Sequence, residues 1–338
     1  MNEEEEAEQS EWEAKVTENL KQLYEQSGCD EVKMFTIDGT AVSQKRGLVL
    51  ISGNRNYKRG VRTEIYDYAS KSFRNGPKMK IERWGHASVT LPNGNVAVFG
   101  GHNETDYYGI SMCEIFDVKS WSFREIGHMV EKRWDAVAVL LQTGIVLIMG
   151  GFDEEHEGLK TCEFYNPTTN KFYRSKATLI RERSRFAASL LPDGRVLISG
   201  GYRDLNFVQH NEFYDPVTDS FYECIRDSMT LEQRTYHTAT TLPDGKVLLV
   251  GGGEEDAACC STEIYDPATL QFSYGPVTQF LRLVDHFAVL LPDGRVFVGG
   301  GSYTEAMQQA TFYYPNTNSF GGLISLLHKR DAASAVLF

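Results

Sequence analysis

The chain lacks the features of a nucleic-acid-binding or membrane protein. Its 46 acidic residues outnumber 34 basic ones and give a net charge of −12, which disfavours contact with a phosphate backbone. No apolar run reaches the ~18 residues of a membrane-spanning helix. Residues 1–6 are mostly acidic, whereas a signal peptide begins with basic residues. We therefore expect a cytoplasmic protein that binds neither nucleic acid nor membrane.

Motifs for metal binding and for common enzyme chemistry are also missing. The six cysteines show no zinc-ligand spacing, and the adjacent Cys259 and Cys260 suit neither a zinc knuckle nor a redox pair. The sequence contains no P-loop, no GxSxG and no HExxH motif. We expect reduced thiols, no cofactor and no metal.

What the chain does contain is a repeat of about 50 residues. Six phenylalanines, each preceded three positions earlier by Ser or Thr, recur at nearly equal intervals: Phe73, Phe123, Phe172, Phe221, Phe272 and Phe320. A period near 50 residues is that of one four-stranded propeller blade. The repeat therefore predicts the fold and says much less about the function.

Each repeat has four parts, one for each predicted strand. In residues 234–245, small and apolar residues alternate up to a Pro-Asp-Gly turn, as in a strand that enters a hairpin. An apolar run follows and ends in a glycine doublet, here Gly251 and Gly252, which indicates left-handed backbone or close backbone packing. The third part ends in an Asp-Pro or Asn-Pro corner, and the fourth carries the phenylalanine.

The glycine doublets, the tyrosines and the closing aromatic residues resemble those of the Kelch-repeat family. The Leu-Pro-Asp-Gly turns and Asp-Pro corners are closer to the galactose-oxidase branch than to the animal adaptor branch. The resemblance covers roughly residues 46–338 and implies an all-β propeller. It leaves the activity open, because propellers include both enzymes and scaffolds.

Both ends of the chain are needed to count the blades. Residues 329–338 align without gaps on 132–141 as a first strand, and 47–53 match 194–200 as a second strand. We therefore predict six blades within residues 46–338, with one split blade made of 329–338 and 46–76. Closure removes two sheet edges. Residues 32–37 form a competing candidate for the closing strand, and Asn54 replaces the second glycine of that blade as a residue tolerant of left-handed geometry.

Residues 1–45 are predicted to be an acidic helix and linker. Ser10 and Glu13 have capping-box spacing, and Trp12, Val16, Leu20 and Leu23 form one apolar stripe. This segment would pack as a helix against the side of the propeller, fray as a tail, or dock a partner.

Arginine and glutamate each recur at one register. The arginines could form an anion-binding ring around the channel, or each could pair with a glutamate, either within one blade or between blades. One blade has Leu283 and Thr311 at these two registers, so it lacks both partners. A buried charge without its partner costs about 3–5 kcal/mol, so the joint loss favours structural pairing.

Histidines lie three positions after the arginine register in some repeats, at His86, His237 and His286, with Leu283 at that register before His286. Because they belong to separate blades, they favour a polar ring at the channel mouth over one metal site. Arginines and aromatics beside this register have the composition of interface hot spots, although the aromatics could instead be buried between blades. The predicted contact surface on the loop-rich top face is Arg83, Trp84, His86, Trp134, Arg185, Phe186, Tyr236, His237 and His286.

From these patterns we expect a monomeric, non-enzymatic scaffold that binds a protein partner through this face. The top loops differ in every blade, and binding residues concentrate in variable loops on rigid scaffolds. The alternative is a small Kelch-type enzyme that acts on a sugar or an anionic molecule at the channel mouth.

Overall fold

The chain folds into six antiparallel sheets, five of four strands and one of five, that form the blades of a propeller. The computed structural model describes residues 47–55, 63–103, 109–203, 206–224, 230–253, 260–278, 282–302 and 307–338. Within these ranges every regular element is a strand, except for one 3-10 turn at Pro315–Thr317. The architecture is therefore all-β, as the repeat predicts.

The strands follow one another blade by blade along the chain. Blade 1 begins with β1 (Leu48–Ser52), β2 (Glu64–Asp67) and β3 (Ser72–Asn75). Blade 2 contains β4 (Ala87–Thr90), β5 (Val96–Phe99), β6 (Met112–Asp117) and β7 (Ser122–His128). Blade 3 contains β8 (Val137–Leu140), β9 (Val146–Met149), β10 (Cys162–Asn166) and β11 (Lys171–Arg174).

The remaining blades repeat this order. Blade 4 contains β12 (Ala187–Leu190), β13 (Val196–Ser199), the small hairpin β14 (Tyr202–Arg203) and β15 (Asn206–Phe207), β16 (Glu212–Asp215) and β17 (Ser220–Glu223). Blade 5 contains β18 (Thr238–Thr241), β19 (Val247–Val250), β20 (Thr262–Asp266) and β21 (Gln271–Tyr274). Blade 6 contains β22 (Phe287–Leu290), β23 (Val296–Gly299), β24 (Gln309–Tyr314), β25 (Ser319–Phe320) and β26 (Ile324–Ser325). The last strand of the chain, β27 (Ser334–Leu337), does not belong to blade 6.

The last strand completes the first blade. β27 pairs antiparallel with β1, from Val49 opposite Leu337 to Ser52 opposite Ser334. β27 also lies against β22 on one side and β4 on the other, so the six innermost strands form a closed ring. The prediction of six blades with a split blade is borne out over these residues.

An aromatic pair recurs at the same place in all six blades. Each periodic phenylalanine lies directly opposite an aromatic residue of the third strand, with ring centroids 4.8–5.4 Å apart. The pairs are Tyr66–Phe73, Phe116–Phe123, Tyr165–Phe172, Tyr214–Phe221, Tyr265–Phe272 and Tyr313–Phe320. Cross-strand aromatic pairs stabilise a sheet, so the repeat that is visible in the sequence is a packing unit.

The glycine doublets bring neighbouring blades into backbone contact. Gly100 and Gly101 have φ of 63° and 97°, and a Cβ on Gly100 would lie 2.3 Å from the carbonyl oxygen of Arg133. Gly101 donates its N–H to that same oxygen at 2.8 Å.

The expectation that Asn54 replaces a glycine through left-handed backbone is wrong, because Asn54 has no positive φ. Its side-chain amide instead donates to the carbonyl of Lys329 at 2.7 Å.

Three predictions concern parts of the chain that the structure covers incompletely. The helix around residues 10–28, the competing strand at 32–37 and residue 46 all lie outside the described residues. Two of the cysteines, Cys113 and Cys162, are free and buried, and burial raises the pKa of each thiol to about 12. Within the described ranges, no helix is long and apolar enough to cross a membrane.

Candidate functional site

A buried arginine–glutamate pair, called the clamp below, recurs in five blades. In each pair the arginine precedes the innermost strand, the glutamate lies in the third strand, and both side chains are fully buried. The shortest N–O distances lie between 2.5 and 3.1 Å in Arg330–Glu64, Arg83–Glu114, Arg133–Glu163, Arg183–Glu212 and Arg234–Glu263. The predicted structural pairing is therefore confirmed, and it lies within each blade.

The clamp also holds the backbone around it. Glu212 accepts the backbone N–H groups of Ile180 and Arg181 at 2.9 and 3.2 Å, and Arg183 donates to the carbonyl of Gly200 at 2.8 Å. The clamp thus joins the blade linker, the glycine doublet and the third strand. In blade 6 Leu283 is buried in an apolar cluster, and Thr311 donates to the carbonyl of Gly321 at 3.0 Å.

The three histidines link adjacent blades. Each Nε2 atom shares a hydrogen bond with a hydroxyl of the preceding blade, at 2.8 Å for His86–Ser52, 2.9 Å for His237–Ser199 and 3.0 Å for His286–Thr238. Burial, together with Arg83 in the case of His86, lowers the pKa of His86 and His286 to about 3. These histidines are therefore neutral at physiological pH.

Two residues after each arginine register, the six blades meet in a ring that we call the mouth. Its members share a left-handed backbone, with φ between 50° and 58°: Gly85, Asp135, Arg185, Tyr236, Asp285 and Ala332. Each backbone N–H donates to the carbonyl of the member one blade earlier, and Gly85 donates to Ala332, with N–O distances of 2.8–3.3 Å. Six hydrogen bonds therefore close a circle of main chain around the propeller axis.

Two pairs, each made of one arginine and one aspartate, lie at the mouth. Arg185 donates from Nε to Asp135 at 3.2 Å, and Arg55 lies 3.4 Å from Asp285. Burial raises the pKa of Asp285 to about 8 against the opposing effect of Arg55, and Asp135 and Asp331 add to the rise. Burial also raises the pKa of Asp135, although Arg185 and Arg55 oppose it.

Aromatic side chains form an arc from the mouth across blades 2 to 5. This aromatic arc consists of Trp84, His102, Trp134, Phe152, Tyr202 and Tyr236. Neighbouring members are 4.6–5.5 Å apart from Trp84 through His102 and Trp134 to Phe152. The guanidinium of Arg185 lies over four rings of the arc, 4.4 Å from Tyr236, 5.0 Å from Phe152 and 5.8 Å from both Trp134 and Tyr202. The Arg185 side chain remains 23% exposed.

The nine predicted contact residues occupy three levels. Trp84, Trp134 and Arg185 are half-buried in the aromatic arc. Tyr236 is a member of the mouth and is 8% exposed. Arg83 is buried in its clamp. His86, Phe186, His237 and His286, each of which directly follows a mouth residue in the sequence, are also buried.

Sequence reasoning missed four residues at or beside the mouth: Asp135, Asp285, Arg55, and Ser302, whose hydroxyl lies 3.0 Å from Oδ2 of Asp285. For Asp135 and Asp285 the signal was the register between the arginines and the histidines, where the residue type varies among the blades, whereas Arg55 and Ser302 lie outside that register. A position that keeps its place in a repeat and varies in chemistry is a candidate for binding.

The mouth lines an open cavity of about 120 Å³. Small-molecule sites usually measure roughly 300–1,000 Å³, so the cavity within the described residues suits one side chain better than a sugar. In the same part of the chain, no group of three or more His, Cys, Asp and Glu side chains is arranged to hold a metal ion.

Comparison with known families agrees with this architecture. A family model described as the KLHDC2/KLHL20/DRC7 Kelch-repeats domain matches residues 85–301, which is more than half of the chain. No curated protein matches the sequence of the chain. Kelch propellers typically serve as protein-interaction modules. Six blades, glycine doublets and this match together show that the chain belongs to the Kelch-repeat family.

Proposed function

We propose that the chain is a protein-interaction module that binds a protein partner through the aromatic arc and Arg185. The single observation that carries this proposal is the placement of the Arg185 guanidinium over four aromatic rings while the side chain stays partly exposed. Arginine and large aromatics are the residues most enriched at interface hot spots.

The arc is also held in place before any partner arrives. Trp84 exchanges backbone hydrogen bonds with His102, and Trp134 does so with Phe152. Asp135 fixes the Nε atom of Arg185. Because these side chains have little freedom to lose on binding, a partner meets a low entropic cost.

Proximity labelling of the full chain in cells tests this proposal. We expect Trp134→Ala and Arg185→Ala to lose the proteins that the wild-type chain labels. Arg74→Ala is the matched control, because Arg74 is an exposed arginine that also lies over a tryptophan, 4.8 Å from Trp121, at the opposite end of the propeller. Equal labelling by all three variants would contradict the proposal.

A further inference from the structure

We infer that the mouth receives one cationic side chain, a lysine or an arginine, from the partner, and that this cation pairs with the carboxylate of Asp285. This inference rests on the proposed function only in assigning the cation to a protein partner. The geometry around Ser302, the hydroxyl of Tyr236 and the charge of the rim support it independently.

The hydroxyl of Ser302 bridges two carboxyl groups. Its hydroxyl oxygen lies 3.0 Å from Oδ2 of Asp285 and 2.7 Å from Oδ1 of Asp331. A hydroxyl has one hydrogen and can donate to only one of them, whereas an ionised carboxylate only accepts. Both contacts are hydrogen bonds if one carboxyl group is protonated and donates to the serine oxygen.

The surroundings assign that proton to Asp285. The charged groups that face it are Arg55 from blade 1, Asp135 from blade 3 and Asp331 from the closing segment. Tyr236 and the neutral His286 are the other titratable neighbours. With a pKa raised to about 8 by burial, Asp285 is mostly protonated at neutral pH and would ionise when a cation approaches.

Tyr236 provides a second sign that a ligand belongs here. Its side chain is 8% exposed and lines the cavity, and its hydroxyl has no hydrogen-bond partner among the described residues. Leaving a buried hydroxyl without a partner is unfavourable. The hydroxyl lies in the field of Asp135 and Asp285, so an entering N–H donor could bond to the phenolic oxygen and pair with a carboxylate.

Size and charge favour a side chain of a basic partner. The cavity of about 120 Å³ has apolar walls at Phe186, Ala136 and Ala332, which suit the methylene stem of lysine or arginine. The nearby loop at residues 153–157 exposes Glu154, Glu155 and Glu157. Together with the net charge of −12, it would attract a basic surface.

Two small cations test the inference without any knowledge of the partner. Methylguanidinium and n-butylammonium, which stay charged between pH 6 and 8, are titrated calorimetrically into the full chain. We expect saturable binding that tightens about tenfold from pH 6 to pH 7, because the cation must displace the proton. Buffers that differ in ionisation heat should report about one proton released per cation below pH 8, and almost none well above it.

Variants locate the binding in the mouth. Asp285→Asn and Tyr236→Phe should weaken it at least tenfold, and Asp285→Asn should also abolish proton release. Asp244→Asn, an exposed carboxylate in a turn at the opposite end, should bind as the wild-type chain does. Circular dichroism would show that each variant is folded. If Asp285→Asn does not fold, the binding affinity of Tyr236→Phe decides whether the cation binds in the mouth.

Three results would overturn the inference: no saturable binding of either cation at pH 8, binding unaffected by Asp285→Asn and Tyr236→Phe, or binding of acetate in place of the cations. Partner capture that depends on Trp134 and Arg185 but occurs without cation binding would refute this inference alone. Cation binding without partner capture would refute only the proposed function.

Discussion

Two sets of six positions, two residues apart in every repeat, differ in what they keep constant. At the clamp register five blades keep the same arginine, fully buried against the same glutamate. At the mouth register all six blades keep the same left-handed backbone and the same hydrogen bond, while the side chains differ. The clamp therefore holds the blades through side-chain chemistry, and the mouth keeps its shape through main chain. This division leaves the mouth side chains available for binding.

Removing residues 329–338 should have the largest effect, because it destroys both sets in blade 1. The deletion removes Arg330 from its clamp, Ala332 from the mouth and four residue pairs between β27 and β1. At ~1 kcal/mol for each lost hydrogen bond, the loss rivals a total stability of about 5–15 kcal/mol. We expect no cooperative thermal transition by circular dichroism, and unchanged melting would contradict the closed ring.

Breaking one clamp should cost less but still be severe. Glu212→Thr leaves Arg183 buried without its carboxylate and should lower the free energy of unfolding by about 3–5 kcal/mol in urea denaturation. Adding Arg183→Leu reproduces the pair found in blade 6 and should recover part of this loss. Glu223→Thr, which removes an exposed partner of Arg181, serves as the control and should cost no more than ~1 kcal/mol. A double variant as unstable as the sum of the two single losses would argue against pairing.

The mouth should instead show itself in the pH dependence of stability. Because burial raises the folded-state pKa of Asp285 from 3.8 to about 8, the folded chain holds a proton that the unfolded chain has released. The contribution of protonated Asp285 to the free energy of unfolding is fully present below pH ~4. It declines as the pH rises through 8, with a slope of at most ~1.4 kcal/mol per pH unit. Urea unfolding at pH 5, 6.5 and 8 should show this decline in the wild-type chain and a smaller one in Asp285→Asn. Parallel pH curves would mean that Asp285 is ionised throughout.

The smallest effect is expected at the mouth hydroxyl. Tyr236→Phe removes a buried oxygen that has no hydrogen-bond partner within the described residues, and it keeps the ring beneath Arg185. Removing an unsatisfied polar atom should leave the free energy of unfolding unchanged or raise it by up to ~1 kcal/mol. The urea midpoint measures this. A clear loss of stability would show that the hydroxyl is bonded within the folded chain.

Most of the scaffold could be predicted because it is repeated. The aromatic pair seen in Tyr66–Phe73 recurs in every blade, and the joint replacement at Leu283 and Thr311 favours the clamp from the sequence alone. Each copy of such a contact is independent evidence for the others. Repetition thus makes a packing rule readable from one chain.

The mouth could not be predicted in the same way, because its members share a conformation rather than a residue type. Only Gly85 hints at left-handed backbone, and Arg185 and Tyr236 are large residues that rarely adopt it. The Arg55–Asp285 contact joins distant parts of the chain across the blade closure and occurs once. Asn54 illustrates the same limit, since its role depends on one carbonyl at Lys329.

The circle of main-chain hydrogen bonds has a consequence for how this propeller could change over evolutionary time. Because each of its links is made by peptide groups, exchanging a side chain on the circle leaves the link intact. New specificities could then arise by single replacements at six places, without a compensating change in a neighbouring sector.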